Sequence, residues 1–286
     1  MEGHCRDLRT GESRTETDVV RSDSMSARLG WDRVIHTISS DRLSLDGLNG
    51  ARGGGHLRGV LDEKLHEERM AGSPLYLLLD DISGASLVAG WAWSRWGGGW
   101  DEEASAEREE RFASMENICH GFATGSSALE TGSPNNHIPV VPLRNPGDEH
   151  SWHDLPEFES AAFRRARRID VTVTDNLIEF DVGFQDTGTD PEHDRVAIHE
   201  YEVKGTADST TGELLSLTAI PHILPFPECP GAINNIQKLV GTPLADMRLK
   251  VIETLPGTLG CTHLNDVLRG LAEVPILAAM LTPQPQ

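Results

Sequence analysis

A thiol, an imidazole and a carboxylate fall within six residues at Cys261, His263 and Asp266, where GTLGCTHLND leads into a predicted helix. About thirty residues upstream, Cys229 stands directly before Pro230, which suits the first turn of another helix. Two of the four cysteines are thus expected at helix N-termini, where unpaired backbone N–H groups and the helix dipole favour a thiolate. Zinc accepts two thiolates and an imidazole with a fourth position left for water or substrate, and Asp266 or His199 completes such a set. Cys229, Cys261 and His263 are therefore the expected ligands of a single metal ion such as zinc or iron, or the thiols are activated nucleophiles. The same cysteines also fit a plain role as small buried apolar groups at helix starts.

Asp266 follows His263 by three residues and falls on the same helical side, where a carboxylate can fix an imidazole tautomer. His199 and Tyr201 alternate onto one face of a predicted strand while Glu200 points the other way. If helices cover that face, general acid–base work by His263, Asp266, His199 and Tyr201 follows. Asp80 and Asp81 are expected to end an apolar strand. Four of the six tryptophans crowd into WAWSRWGGGW at 91–100 and offer an apolar wall or lid. RRARR at 164–168 is the one dense basic patch, able to pair with surface acids or with a carboxylate-bearing substrate. RGGGHLRG at 52–59 has the glycines of a phosphate loop but no preceding strand.

The elements that must position these groups divide the chain into parts. Residues 1–28 are polar and expected to be disordered. Residues 29–130 read as a smaller mixed region, with a helix near 31–43 and another over 56–69. A hairpin is expected there from SPLYLLLDDISGASLVAGWAWSRW, and a charge-rich helix at 101–111. A Pro/Gly/Asn-rich linker covers 131–160. Residues 161–281 form the C-terminal domain. Ile169, Val171 and Val173 alternate, as do Ile178, Phe180, Val182 and Phe184, around a turn at Asp175–Asn176. Further strands span about 195–207 and 213–223, joined by DSTTG. Helices follow at about 230–240, 243–254 and 263–272, with Gly241 ending the first and Thr242 capping the second. Strands first and helices afterwards make an α+β fold, an antiparallel sheet with a helical layer on one face.

Composition bounds the rest. The chain has 286 residues, 25 basic and 45 acidic side chains and a net charge of −20, which repels phosphate backbones and anionic lipid. No nucleic-acid or membrane partner is expected. No secretory signal is visible, apolar runs such as LYLLL are too short to span a bilayer, and four scattered cysteines do not make a disulfide framework. A reducing cytoplasm is the expected location.

The run from GSPLYLLLDDISGASLVAGWAWSRW through RRARRID, AIHEY, ECPGA and GTPLADMRLKVIETLPGTLGCTHLNDVLRGLAEVP resembles a bacterial family catalogued as domain of unknown function 2889. The resemblance covers most of the chain after about residue 30, and GCTHLND is its most specific element. It implies kinship and no activity. The C-terminal half also resembles iron–sulfur scaffold proteins, which put three antiparallel strands before helices. Cys229 matches the scaffold's cysteine at the first long helix. Cys261 and His263 stand near its later pair in reversed order with one residue between them, and its early cysteine has no counterpart in Phe163–Glu228. The residues together point to a small-molecule enzyme without organic cofactor, doing proton-transfer chemistry of the lyase, hydratase or hydrolase kind on an apolar or aromatic substrate. The alternative is a metal-binding or iron–sulfur assembly protein without turnover.

Overall fold

A computed structural model describes residues 1–11, 16–96, 114–131 and 157–281. The chain divides into two units, one holding Met1–Val88 and the other beginning at Ala89 and holding the described residues from there to Leu281.

The first unit opens with an antiparallel sheet, β1 (Glu2–Thr10), β2 (Thr17–Leu29) and β3 (Ile35–Ser40), in that order. This replaces the expected disorder of residues 1–28 and the expected helix near 31–43. Met25 and Ala27 on β2, and Ile35 and Ile38 on β3, are buried with Leu45 and Leu48, so a sparse apolar set suffices once three strands pool it. Two helices follow, α1 (Gly55–Lys64) and α2 (His66–Met70), and α1 buries Leu57 and Leu61, one turn apart.

The stretch expected to form a hairpin is one long helix, α3 (Pro74–Trp96). Leu75, Leu79, Ile82, Ala85 and Val88 are buried along it, a spacing of three to four that an apolar run hides from a period-two reading. Asp80 is therefore a mid-helix residue, and it accepts a 3.1 Å hydrogen bond from Arg58 Nε. A hairpin is present elsewhere, as β1–β2, in the segment expected to be disordered. The charge-rich helix expected at 101–111, Trp100 and nearly all of the expected linker lie outside the described residues.

The second unit follows the α+β expectation closely. A short helix, α4 (Ser127–Thr131), precedes an antiparallel meander of β4 (Phe163–Thr174), β5 (Leu177–Thr189), β6 (Arg195–Asp208) and β7 (Leu214–Ile223). Two residues join β4 to β5, and Asp175 there takes a φ of 49°, a left-handed conformation that a short polar side chain tolerates. At the β6–β7 turn the Asp208 carboxylate accepts from the amides of Thr210 and Thr211, an Asx turn that fixes the reversal.

The helical layer comprises a run of 3-10 turns (Cys229–Leu239), α5 (Met247–Thr254), α6 (Thr262–Arg269) and α7 (Val274–Leu281). Pro230 and Gly231 disfavour regular α-helix in the first run, which therefore tightens. Gly241, at φ 89°, turns the chain out of it as expected. Thr242 does not cap the next segment; its carbonyl accepts from the Leu214 amide instead. Ile178, Phe180, Val182 and Phe184 face Leu264, Val267, Leu268 and Leu271 in one core with Tyr201 and Cys261. Full burial of each large side chain there contributes about 1.5–3 kcal/mol. Among the described residues no helix is long and apolar enough to cross a membrane.

Candidate active site

Register builds the site. Arg165 on β4 lies directly opposite Asp186 on β5, and Asp186 lies directly opposite His199 on β6. Three polar side chains from three strands thus form one row across the sheet. The β5–β6 ladder shifts register just after Asp186, a bulge that re-aims side chains where the row ends. Against this row α6 sets His263 and Asp266, three residues apart and so on one side of the helix.

Contacts tie these groups together. Arg165 donates to both Asp186 oxygens at 2.8 Å and to Asp266 Oδ2 at 2.8 Å, so one guanidinium clamps two carboxylates. His199 Nδ1 sits 3.4 Å from Asp186 Oδ2, close enough for electrostatic attraction but too long for a good hydrogen bond. The His199 and His263 rings stack, with centroids 3.4 Å apart and planes 19° from parallel. His263 Nε2 is buried without a hydrogen-bond partner among the described residues, although the residue as a whole is half-buried and so reachable from outside. Asp186, His199 and His263 each present a ligand atom within 4.8 Å of the other two.

Burial and charge decide protonation here. Burial pushes the Asp186 carboxyl up, but the Arg165 clamp outweighs it and holds the group well below the usual carboxylate range. Burial lowers His199, and the neighbouring Asp186 offsets this only in part. His263 is driven well below the ordinary histidine value by burial first and by His199 second. Both imidazoles are therefore neutral near pH 7, each with a nitrogen lone pair, beside an ionised carboxylate.

A second layer lies along the same strands. Phe184, two residues before Asp186, carries the Arg165 and Arg167 guanidiniums over its ring at 4.8 and 5.4 Å. Its cross-strand neighbour is Tyr201, whose hydroxyl donates to Cys261 Sγ at 3.4 Å. Cys119, Cys229 and Cys261 are buried near enough to each other and to Tyr201 that a charge on one disfavours a charge on the next. Burial pushes the Cys229 thiol up to about 12 and raises Cys261 and Cys119 as well. Desolvation thus overrides the helix N-terminal effect that sequence reading assigned to these cysteines.

The structure therefore brings together His199, His263 and Asp266, and sets Tyr201 beside them. It does not bring Cys229 and Cys261 into the ligand group of His263. Cys261 turns from its chain neighbour toward Tyr201, and Cys229 packs with Ala128 and Phe226. Asp266 accepts a hydrogen bond from Arg165. Sequence reasoning missed Asp186 and treated Arg165 as part of a surface patch, because strand register is not visible in a linear pattern. It also missed Cys119, far from the other thiols in sequence. Of the tryptophans, Trp91 packs against Gly188 and Trp96 donates to the Thr189 carbonyl at 2.8 Å, both just beyond Asp186 on β5. Trp93 is exposed.

Residues 163–277 match the profile of a family described as Protein of unknown function (DUF2889). This stretch is similar to DUF2889 domains. No curated protein and no solved structure matches the chain. The match is shorter than the resemblance expected from about residue 30 onward. The DUF2889-like stretch nonetheless contains the whole cluster of Arg165, Asp186, His199, His263 and Asp266, together with Tyr201, Cys229 and Cys261. Cys119 and the tryptophans lie outside it.

Proposed function

We propose that the DUF2889-like domain is a small-molecule enzyme of the lyase, hydratase or hydrolase kind, with its reaction centre at Asp186, His199 and His263. One observation carries the reading. Two neutral imidazoles stack beside a buried, clamped carboxylate, with the Nε2 atom of His263 left without a hydrogen-bond partner among the described residues. Burying such a cluster costs several kcal/mol per charge before pairing, and an apolar replacement of similar volume is often more stable. Stability therefore gives little reason to keep it, whereas proton transfer needs these groups.

In this reading the imidazole lone pairs are the reactive groups, whether they take a proton directly or hold a Lewis acid whose bound water does. Asp186 orients His199, and Arg165 with Asp266 fixes Asp186. Tyr201 and Phe184 form the apolar floor beneath. The four free cysteines and the net acidity suit a cytoplasmic protein that meets small molecules rather than nucleic acid or membrane.

Incubating the purified protein with cellular metabolite extract, followed by untargeted mass spectrometry, tests the proposal. The expected result is a metabolite consumed by wild type, replaced by an isomer or by a species differing by water or its fragments, and spared by His199→Gln and His263→Ala. Identical profiles for wild type and both folded variants would overturn it. Metal handling without turnover is the second reading, favoured by the same three ligand atoms. Tight metal binding with unchanged metabolite profiles would select it.

A further inference from the structure

We propose that Asp186, His199 and His263 are the protein ligands of one first-row divalent cation of the zinc or iron(II) type. The inference rests on the reading of this cluster as the reaction centre and names the acid that works there.

The geometry comes first. One carboxylate oxygen and two imidazole nitrogens lie within 4.8 Å of one another, and they come from two adjacent strands and a helix, elements that hold a site more firmly than loops. Neither His199 Nδ1 nor His263 Nε2 has a hydrogen-bond partner among the described residues, although both atoms are buried. A buried polar atom in that condition costs about 1–3 kcal/mol, and a cation accepting both lone pairs removes the penalty twice over. Asp186 gives both oxygens to Arg165, but each carboxylate oxygen has a second lone pair, so the clamp leaves a ligand position. This is the outer support that metal-binding carboxylates commonly have.

The donor set chooses the ion. Two imidazoles and a carboxylate suit zinc, iron(II), cobalt(II) or manganese(II), and lack the oxygens that calcium requires. Three protein ligands leave a position for water, and the half-buried flank of His263 is where that water and a substrate would enter. Coordination at about 2.0–2.2 Å needs ligand atoms about 3–3.5 Å apart, so the cluster must contract. The stacked rings must also part, because an ion lies in the plane of each ring it binds. A bound cation would lower the pKa of its water toward neutrality, and that water would supply the proton-transfer group.

The test uses the full-length protein freed of metal with a chelator and titrated with cobalt(II), followed by zinc competition. One equivalent should bind, with visible absorption of a nitrogen- and oxygen-ligated ion. Affinity should fall at least 100-fold in His199→Gln and in His263→Ala, while a Cys119, Cys229 and Cys261 triple serine variant retains it. Circular dichroism of each variant establishes that it is folded. Should a histidine variant not fold, pulsed electron paramagnetic resonance of bound manganese(II) in wild type reads imidazole nitrogen coupling directly. Absence of stoichiometric binding, binding indifferent to both histidines, or binding that depends on the cysteines would overturn the proposal. Turnover that depends on His263 yet persists in chelator would remove the metal while leaving the enzyme reading in place. Stoichiometric binding without turnover would do the reverse.

Discussion

Replacing Arg165 with Met should be among the most damaging single changes in the DUF2889-like domain. The Arg165 side chain is 4% exposed and Asp186 is 0% exposed, and the guanidinium holds both Asp186 oxygens and one of Asp266 at 2.8 Å. Met preserves most of the apolar stem but takes the clamp from the fully buried Asp186 carboxylate. Breaking one side of a buried pair costs about 3–5 kcal/mol, which for a unit of this size lowers the melting temperature by roughly 6–20 °C. The pH dependence gives the sharper signature. In wild type the Asp186 pKa is depressed, so its contribution is present above the unfolded value near 3.9 and is lost only as pH falls through the lower folded value. Without Arg165 the burial effect dominates and the folded pKa rises above the unfolded one. The penalty is then full above that raised value and is relieved as pH falls through it. Urea denaturation of both proteins at pH 7 and pH 5 should therefore show a stability gap that narrows on acidification. Adding Asp186→Asn should recover part of the loss. A gap below about 1 kcal/mol, or one equal at the two pH values, would refute the reasoning.

Other outcomes follow from the same structure. In native protein at pH 8 an aromatic disulfide reagent should label half-buried Cys5 and spare Cys119, Cys229 and Cys261, with all four reacting after denaturation; rapid native labelling of Cys229, whose thiol is raised to about 12, would contradict this. Gly205→Ala should destabilise by about 1–3 kcal/mol in chemical denaturation, because the added carbon meets the Ser216 carbonyl oxygen at 2.3 Å and the Phe180 ring at 2.5 Å. Gly59→Ala, in the middle of α1 with open space around it, should stabilise by about 0.5–1 kcal/mol.

Much of the second unit is legible in the sequence because its strands alternate cleanly: Ile178, Phe180, Val182 and Phe184 all turn inward as the pattern says. The stretch from Pro74 to Trp96 is not, since a nearly continuous apolar run satisfies strand and helix readings alike and only its length favours the helix. Polar strands such as Glu2–Thr10 carry no apolar signal and are held by pairing with β2. At the site, His199, His263 and Asp266 are visible through their residue types and local spacing. Asp186 and Arg165 are not, because their meaning arises from register across three strands, and register is a property of the sheet. The cysteines mislead for a related reason. Position at a helix start predicts a thiolate, but burial in an apolar core decides the matter the other way.

The central claim is that His199 and His263 are neutral, desolvated and open to a ligand beside an ionised Asp186, and nitrogen-15 NMR of the two rings in chelator-treated protein tests it most directly. His263 should stay neutral well below pH 6.5, His199 should titrate below the ordinary histidine value, and both should move when zinc is added. Rings that titrate near 6.5 as exposed histidines do, and ignore the ion, would contradict the account.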